Sequence, residues 1–293
     1  MPVRVVTDTS AGLPDHVAKD LGITVLNLHL MGDEEEKFTS GLSSLELAAA
    51  YARQLERGDD AGVVALHLSK DLSSTWSAAM TASAIFDGNV VVIDTQSVGM
   101  NVGAAAMAAA RIALDGASLA ECVELAEDTL SRSKTWIYLH RIDEIRKSGR
   151  ISATTAMVSA ALATKPIMQI NNGRIELAVK TRTQAKAFAK LTELVTTRAG
   201  ELPAFVAIQQ CEAKEAARTL EEQLKAHLPL GSSIMIMEME PILAVHCGPG
   251  ALGVSVVFSQ PEADVTDISD ASESALMDKG DETPPPTDEV TKK

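Results

Sequence analysis

Residues 63–94 read VVALHLSKDLSSTWSAAMTASAIFDGNVVVID. A β-prone apolar run over 63–68 leads into hydroxyl-rich Ser69-Lys70-Asp71-Leu72-Ser73-Ser74-Thr75. A helix-forming segment over 73–86 follows, then a second apolar run over 90–93. Strand, loop, helix, strand is the unit from which parallel sheets are assembled. The alternation continues outward. Upstream, 3–6 predicts a strand ending at Thr7-Asp8-Thr9-Ser10, 13–21 a helix with Pro14 in its first turn, and 23–30 a second strand. Residues 43–55 predict a helix in which Ser43 and Glu46 have capping-box spacing. Downstream, Ala-rich 102–114 and 119–130 predict helices and 135–139 a short strand. The expectation is an α/β protein whose N-terminal domain, 1–148, holds a mostly parallel sheet with helices on both faces.

The second half has a different pattern. A helix is expected over 152–164, then strands over 166–170 and 175–179 joined at Asn171-Asn172-Gly173, where Asn-Gly signals a hairpin. Helices over 184–198 and 212–227 and strands over 205–208, 234–239 and 254–258 complete it. Hairpins mixed with helices predict a C-terminal mixed-sheet α/β (α+β) domain over 149–260, with the boundary near Ser148-Gly149. From Pro261 to Lys293 there are ten acidic and three basic residues and the run Pro284-Pro285-Pro286. This composition predicts a disordered acidic tail, either a solvating extension or an interaction segment.

Composition narrows the function classes. The tail carries −7 of the chain's net −14, so the body is only mildly acidic. No basic run is present that could line a nucleic-acid surface. With 46% hydrophobic but only 3% aromatic residues, the cores must be built from Ala, Val, Ile, Leu and Met. The start, MPVRVVTDTS, lacks the pattern of a signal peptide, and no apolar stretch is long enough for membrane insertion. Cys122, Cys211 and Cys247 make neither a disulfide framework nor a metal motif, so a reducing cytoplasm is expected. No metal site, cofactor motif or catalytic constellation is found: HExxH, GxSxG and the P-loop pattern are all missing.

Candidate binding residues fall mainly at strand ends. In open parallel sheets, ligands sit beyond the carboxyl ends of the strands. Three such ends carry hydroxyls: Thr7-Asp8-Thr9-Ser10, Ser69 through Thr75, and Asp94-Thr95-Gln96-Ser97. The middle one also opens a helix, whose free N–H groups favour an anion. Any one loop could serve only as caps and turns, but three at one sheet edge predict a pocket. Thr39-Ser40 alone is a loop dipeptide. Gly248-Pro249-Gly250-Ala251-Leu252-Gly253 matches GxGxxG but precedes a strand pattern, which argues against dinucleotide binding and leaves a tight turn beside His246. Arg146 through Arg150 reads equally as a solvated helix end or as a surface presenting Arg150 to an anionic partner.

Taken in order, these pieces resemble the DegV family of fatty-acid-binding proteins. The resemblance runs through Val5-Val6-Thr7-Asp8-Thr9-Ser10, Thr39-Ser40, Leu72-Ser73-Ser74-Thr75, Val92-Ile93-Asp94-Thr95, Ser148-Gly149-Arg150, Thr164-Lys165-Pro166, Lys180-Thr181-Arg182-Thr183 and His246-Cys247-Gly248-Pro249-Gly250-Ala251. It covers residues 3 to about 258. It implies a palmitate- or oleate-like acid in an apolar tunnel between two domains, its carboxylate held by Thr39, Ser73 and His246. Ser40, Ser74, Thr75, Gly248 and Gly250 adjoin those positions as secondary candidates. It also implies a separate kinase that phosphorylates the bound acid, the chain presenting the substrate. Ser74 stands where the family pattern has Gly, and Gly41-Leu42 where it has Gln-Pro. The rival expectations are a stand-alone phosphotransferase using His246 and Asp8, and a lipid sensor acting through the tail.

Overall fold

The computed structural model describes residues 2–33, 37–151 and 164–260. The tail over 261–293, and all but Thr164 of the helix expected over 152–164, lie outside the described residues. The first sheet contains β1 (Arg4–Asp8), β2 (Thr24–Leu26), β5 (Val63–His67) and β6 (Val90–Asp94), all parallel, in the order β2-β1-β5-β6. Alternate residues face opposite sides, and both sides are buried, which is why these strands read as unbroken apolar runs. Val5, Val64 and Leu66 join α4 (Met100–Leu114) and α5 (Leu119–Ser131). Val6, Val63 and Ala65 pack with α2 (Ser44–Arg57) and α3 (Thr75–Ser83). On α4, Ala105, Ala106, Ala109, Ala110 and Ala113 are all buried, and their short side chains let the helix lie close to the sheet. Ser43 and Glu46 form the expected capping box.

The second sheet has the order β11-β10-β12-β7-β8-β9. Its strands are β7 (Ser133–Tyr138), β8 (Lys165–Asn171), β9 (Arg174–Thr181), β10 (Ala204–Gln210), β11 (Ser233–Glu238) and β12 (Leu252–Phe258). Only β10 and β11 run parallel; every other pair is antiparallel. Its core joins Trp136, Tyr138, Val254 and Val256 to α7 (Gln184–Ala199) and α8 (Lys214–His227).

Three placements differ from expectation, each for a physical reason. The chain changes sheets at β7, ahead of the boundary expected near Ser148-Gly149, because β7 pairs with β12 and β8. A short β-prone run carries no local mark of its partner. The strand expected over 23–30 is two strands. β3 (His29–Gly32) leaves the sheet and pairs with β4 (Lys37–Ser40) as an antiparallel ribbon, so Thr39-Ser40 is strand and not loop. Leu30, Met31 and Phe38 are exposed there, which hid the usual inside–outside alternation. Finally, His246 lies on a short helix, α9 (Pro241–Cys247), that starts with Pro241 at its first turn, while α6 (Asp143–Lys147) carries Arg146 and Lys147.

The β8–β9 turn locks the second sheet to the hydroxyl loop. Asn172 and Gly173 both have positive φ, 46° and 79°, as a two-residue turn of this hand requires. Ser69 Oγ donates to Gly173 O at 2.8 Å. A Cβ on Gly173 would collide with Ser69 Oγ. Gly173→Ala is therefore expected to destabilise the protein by about 1–3 kcal/mol, read from the urea midpoint. A midpoint equal to that of the parent would show that the turn does not depend on this contact.

Candidate functional site

A fully buried carboxylate organises the sheet edge. Asp8 ends β1 and His67 ends β5, and both have no exposed surface. Asp8 Oδ2 faces His67 Nδ1 at 2.9 Å, and His67 Nε2 meets Tyr51 OH at 2.9 Å. Asp8 Oδ1 accepts from Ser10 N at 3.0 Å and from Ser10 Oγ at 2.5 Å. Burial and the nearby Asp8 charge push the Tyr51 phenol up, so it stays protonated. Thr7 and Thr95 are spent on the backbone, donating to Leu66 O and His67 O. Ser97 O accepts from Ser69 N, tying the second hydroxyl loop to the third.

Beyond this frame lies a cavity of about 350 Å³, at the small end of the usual ligand-pocket range of about 300–1,000 Å³. Two of the three strand-end loops contribute to it, Ser10 from the first and Leu72, Ser73 and Ser74 from the second; Asp94 through Ser97 do not line it, and Leu68, Val98 and Gly99 enter from the chain beside these loops. The second sheet supplies Ile137, Ile175 and Gln209, and α9 supplies Ile242, Leu243, His246 and Cys247. Thr39, Ser40 and Gly41 enter from the ribbon, Arg150 from the chain after α6. Most of the wall is apolar.

Its polar atoms gather from distant parts of the chain. Thr39 Oγ1 lies 2.9 Å from His246 Nε2, and Arg150 donates to Thr39 Oγ1 at 3.5 Å. Ser73 Oγ accepts from Thr75 N at 3.2 Å and lies 2.9 Å from Thr75 Oγ1. With Thr75 donating to it, Ser73 keeps its own proton for another acceptor. Gly41 sits against this cluster. A Cβ there would come within 2.7 Å of Thr75 Oγ1, 3.0 Å of Ser74 Oγ and 3.1 Å of Ser73 Oγ. The extra hydroxyl of Ser74 and the bare backbone of Gly41 thus occupy one tight space.

The cavity brings together Thr39, Ser40, Ser73, Ser74, Arg150 and His246. Thr75 is buried behind Ser73 and accepts from Leu42 N at 3.3 Å. Gly248 and Gly250 shape the turn with φ of 74° and 84° and are not part of the wall. The turn leads into β12, not into a helix. Asp8 does not reach the cavity, so it is not brought together with His246. Arg150 lines the cavity, where the sequence had left it open to a solvated or partner-facing role. Gly41 and Gln209 were missed; each sits in a segment with no local signal beyond its secondary structure.

The charges are asymmetric. Burial, reinforced by Arg150, pulls the His246 imidazole down to about 4, so it is neutral near pH 7. Arg150 is then the cation of the wall. Cys247 is pushed up to about 12 by burial, with Cys211 beside it, and remains a thiol. Among the described residues, no His/Cys/Asp/Glu cluster could hold a metal and no helix is long and apolar enough to cross a membrane.

Residues 33–259 match the family described as "Uncharacterised protein, DegV family". A DegV domain-containing protein of Corynebacterium glutamicum is 68% identical over 260 residues, covering 88% of this chain and 95% of the relative. The crystal structure of a DegV family protein from C. glutamicum, also 68% identical, superposes with a TM-score of 0.86 over 89% of this chain and 99% of that one. A Thermus thermophilus DegV family protein, described by its fatty acid binding, is 26% identical with a TM-score of 0.80, over 88% and 100% of the two chains.

The His246 shift predicts a pH dependence. The unfolded chain takes up a proton at His246 near pH 6.5, and the folded chain refuses it until about 4. Stability contributed by the neutral ring is full above that window and is lost as pH falls through it. His246→Gln should flatten this part of the urea-midpoint profile; identical slopes in parent and variant would contradict the assignment.

Proposed function

Because the chain belongs to the DegV family, we propose that it binds a long-chain fatty acid in this cavity and holds the carboxylate with Thr39, Ser73, Arg150 and His246. The observation carrying the reading is the convergence of these four side chains on one mostly apolar cavity. A carboxylate taken from water needs several convergent donors, and a charged one strengthens the hold. Arg150 supplies the charge, and the neutral His246 can pass a hydrogen bond through Thr39. Leu68, Val98, Ile137, Ile175, Met239 and Leu243 cover the alkyl chain, each buried methylene contributing about 0.8 kcal/mol. The three cysteines are unpaired, buried thiols, which suits a reducing cytoplasm.

Presentation of the carboxylate to a separate kinase is part of the same proposal. A carboxylate held by hydroxyls, one neutral imidazole and one guanidinium is a competent phosphoryl acceptor, and no residue of the wall is assigned to bind a nucleotide.

Protein stripped of lipid should take up palmitate or oleate, read by native mass spectrometry. Ser73→Ala and Arg150→Gln should each weaken uptake by about tenfold to a hundredfold, the cost of a hydrogen bond to a charged group. No uptake of either acid by the parent would overturn the reading. The oleate complex should form no acyl phosphate with ATP alone, assayed as the hydroxamate, and should form it when a kinase is added; turnover by the isolated protein would overturn the presenting role.

A further inference from the structure

The Gly-rich run after His246 ends on a glycine that its turn does not need. Gly248 and Gly250 have left-handed backbone; Gly253 does not, and it lies buried inside β12. A glycine in a strand interior weakens the strand, and it often marks a place where a ligand or another backbone comes close.

The glycines of the cavity wall differ in what requires them. A Cβ at Gly41 would come within 2.7 Å of Thr75 Oγ1, and one at Gly99, φ 78°, within 2.8 Å of Gln209 Oε1. The protein's own atoms therefore exclude a side chain at both. A Cβ at Gly253 would meet Met239 Cε at 3.6 Å, Gln209 Cβ at 3.8 Å and Gln209 O at 3.9 Å, which is ordinary contact. The fold has room for alanine there. The space that alanine would enter belongs to the cavity, since Met239, Gln209 and Gly253 all line it.

The sheet register shows the shape of that space. Leu252, Val254 and Val256 of β12 belong to the core on the α7 and α8 side, so Gly253 between them faces the other way, into the cavity. Its cross-strand neighbours are Gln209 on β10 and Ile137 on β7, both of them cavity residues. Ile137 and Gln209 thus stand two strand spacings apart, about 10 Å, with no side chain between them. One alkyl chain, in contact with carbon atoms at about 4 Å on each side, fits such a trough. The Gln209 amide leaves it open: Oε1 accepts from Met100 N at 3.2 Å, and only Cβ and O of Gln209 come close to Gly253. None of the three atoms nearest that Cβ position belongs to Thr39, Ser73, Arg150 or His246, so the trough is distinct from the carboxylate set.

We propose that the alkyl chain of the ligand crosses β12 over the bare backbone of Gly253, between Ile137 and Gln209, and that residue 253 decides how long an acyl chain the cavity takes. The inference rests on the fatty-acid reading above and names a specificity-determining residue within it. A methyl group at this position would stand where the chain passes. Acids that end short of it keep their fit, and longer ones lose it.

The test uses the full-length protein stripped of lipid, the parent beside Gly253→Ala, with the saturated acids octanoate, laurate, palmitate and stearate titrated in native mass spectrometry. The parent-to-variant affinity ratio should stay near one for the shortest acids bound and rise to about tenfold at palmitate, the effect of one extra methyl group in a filled space. Gly253→Val should widen the palmitate loss further. Thr39→Val, which acts on the carboxylate, should weaken all lengths by one common factor. The urea midpoint of lipid-free Gly253→Ala should equal or exceed that of the parent, because alanine suits a strand interior better than glycine. A ratio near one at palmitate overturns the inference, as does an equal loss at every length. A lowered midpoint also overturns it, since the glycine would then serve the fold and not the ligand. If the parent takes up none of the four acids, the fatty-acid reading itself has failed.

Discussion

A carboxylate with no exposed surface has to be surrounded by donors, and Asp8 imposes that requirement on the centre of the first sheet. Its donors come from its own loop, at Ser10, and from the neighbouring strand, at His67 and Leu68. Satisfying it therefore fixes the ends of β1 and β5 relative to each other, and Tyr51 extends the hold to α2. The gap between β1 and β5 is where the strand order reverses, since β2 lies to one side of β1 and β5 to the other. That is the usual place for a crevice in such sheets. The buried charge is structural, and it fixes the loop that carries Ser10 at the cavity wall.

The second sheet and the ribbon close the cavity and bring a different kind of polarity. On the first sheet the hydroxyl groups are mostly consumed by backbone carbonyls and by Asp8. On the closing side, Arg150 comes from the chain after α6 and His246 from α9, and the guanidinium helps keep the imidazole neutral. The wall thus carries one cation, the Arg150 guanidinium, beside an imidazole held neutral.

What could be read from the sequence was whatever local chemistry announces. The apolar runs of β1, β5 and β6, the Ser43–Glu46 box and the Asn172-Gly173 turn each carry their own signal, and each is found in place. Another box, Ser118 with Glu121, had the same spacing and opens α5. The hydroxyl loop after β5 was legible because a strand end and a helix start coincide there. Thr39 came from motif resemblance alone, and His246 from the Gly-rich turn beside it together with that resemblance. The ribbon around Thr39 exposes Leu30, Met31 and Phe38, so its strands lack alternation, and α9 is only seven residues long. Gln209 and Gly41 were illegible for a deeper reason. Their importance lies in what crosses over them from elsewhere in the chain, and neither residue type marks that locally.

The order of strands in the second sheet has a consequence for biosynthesis. β12 is the last described strand, yet it occupies an interior position between β10 and β7. Until residues 252–258 are available, β7 and β10 have no partner between them, and the wall that includes Gly253 is unmade. The contact between Thr39 and His246 spans 207 positions and closes equally late. Contacts of such long sequence separation pay their loop-closure entropy before they return any stability. The cavity is thus among the last features a nascent chain can assemble, and a chain stalled short of β12 has the first sheet's loops but no place for a ligand.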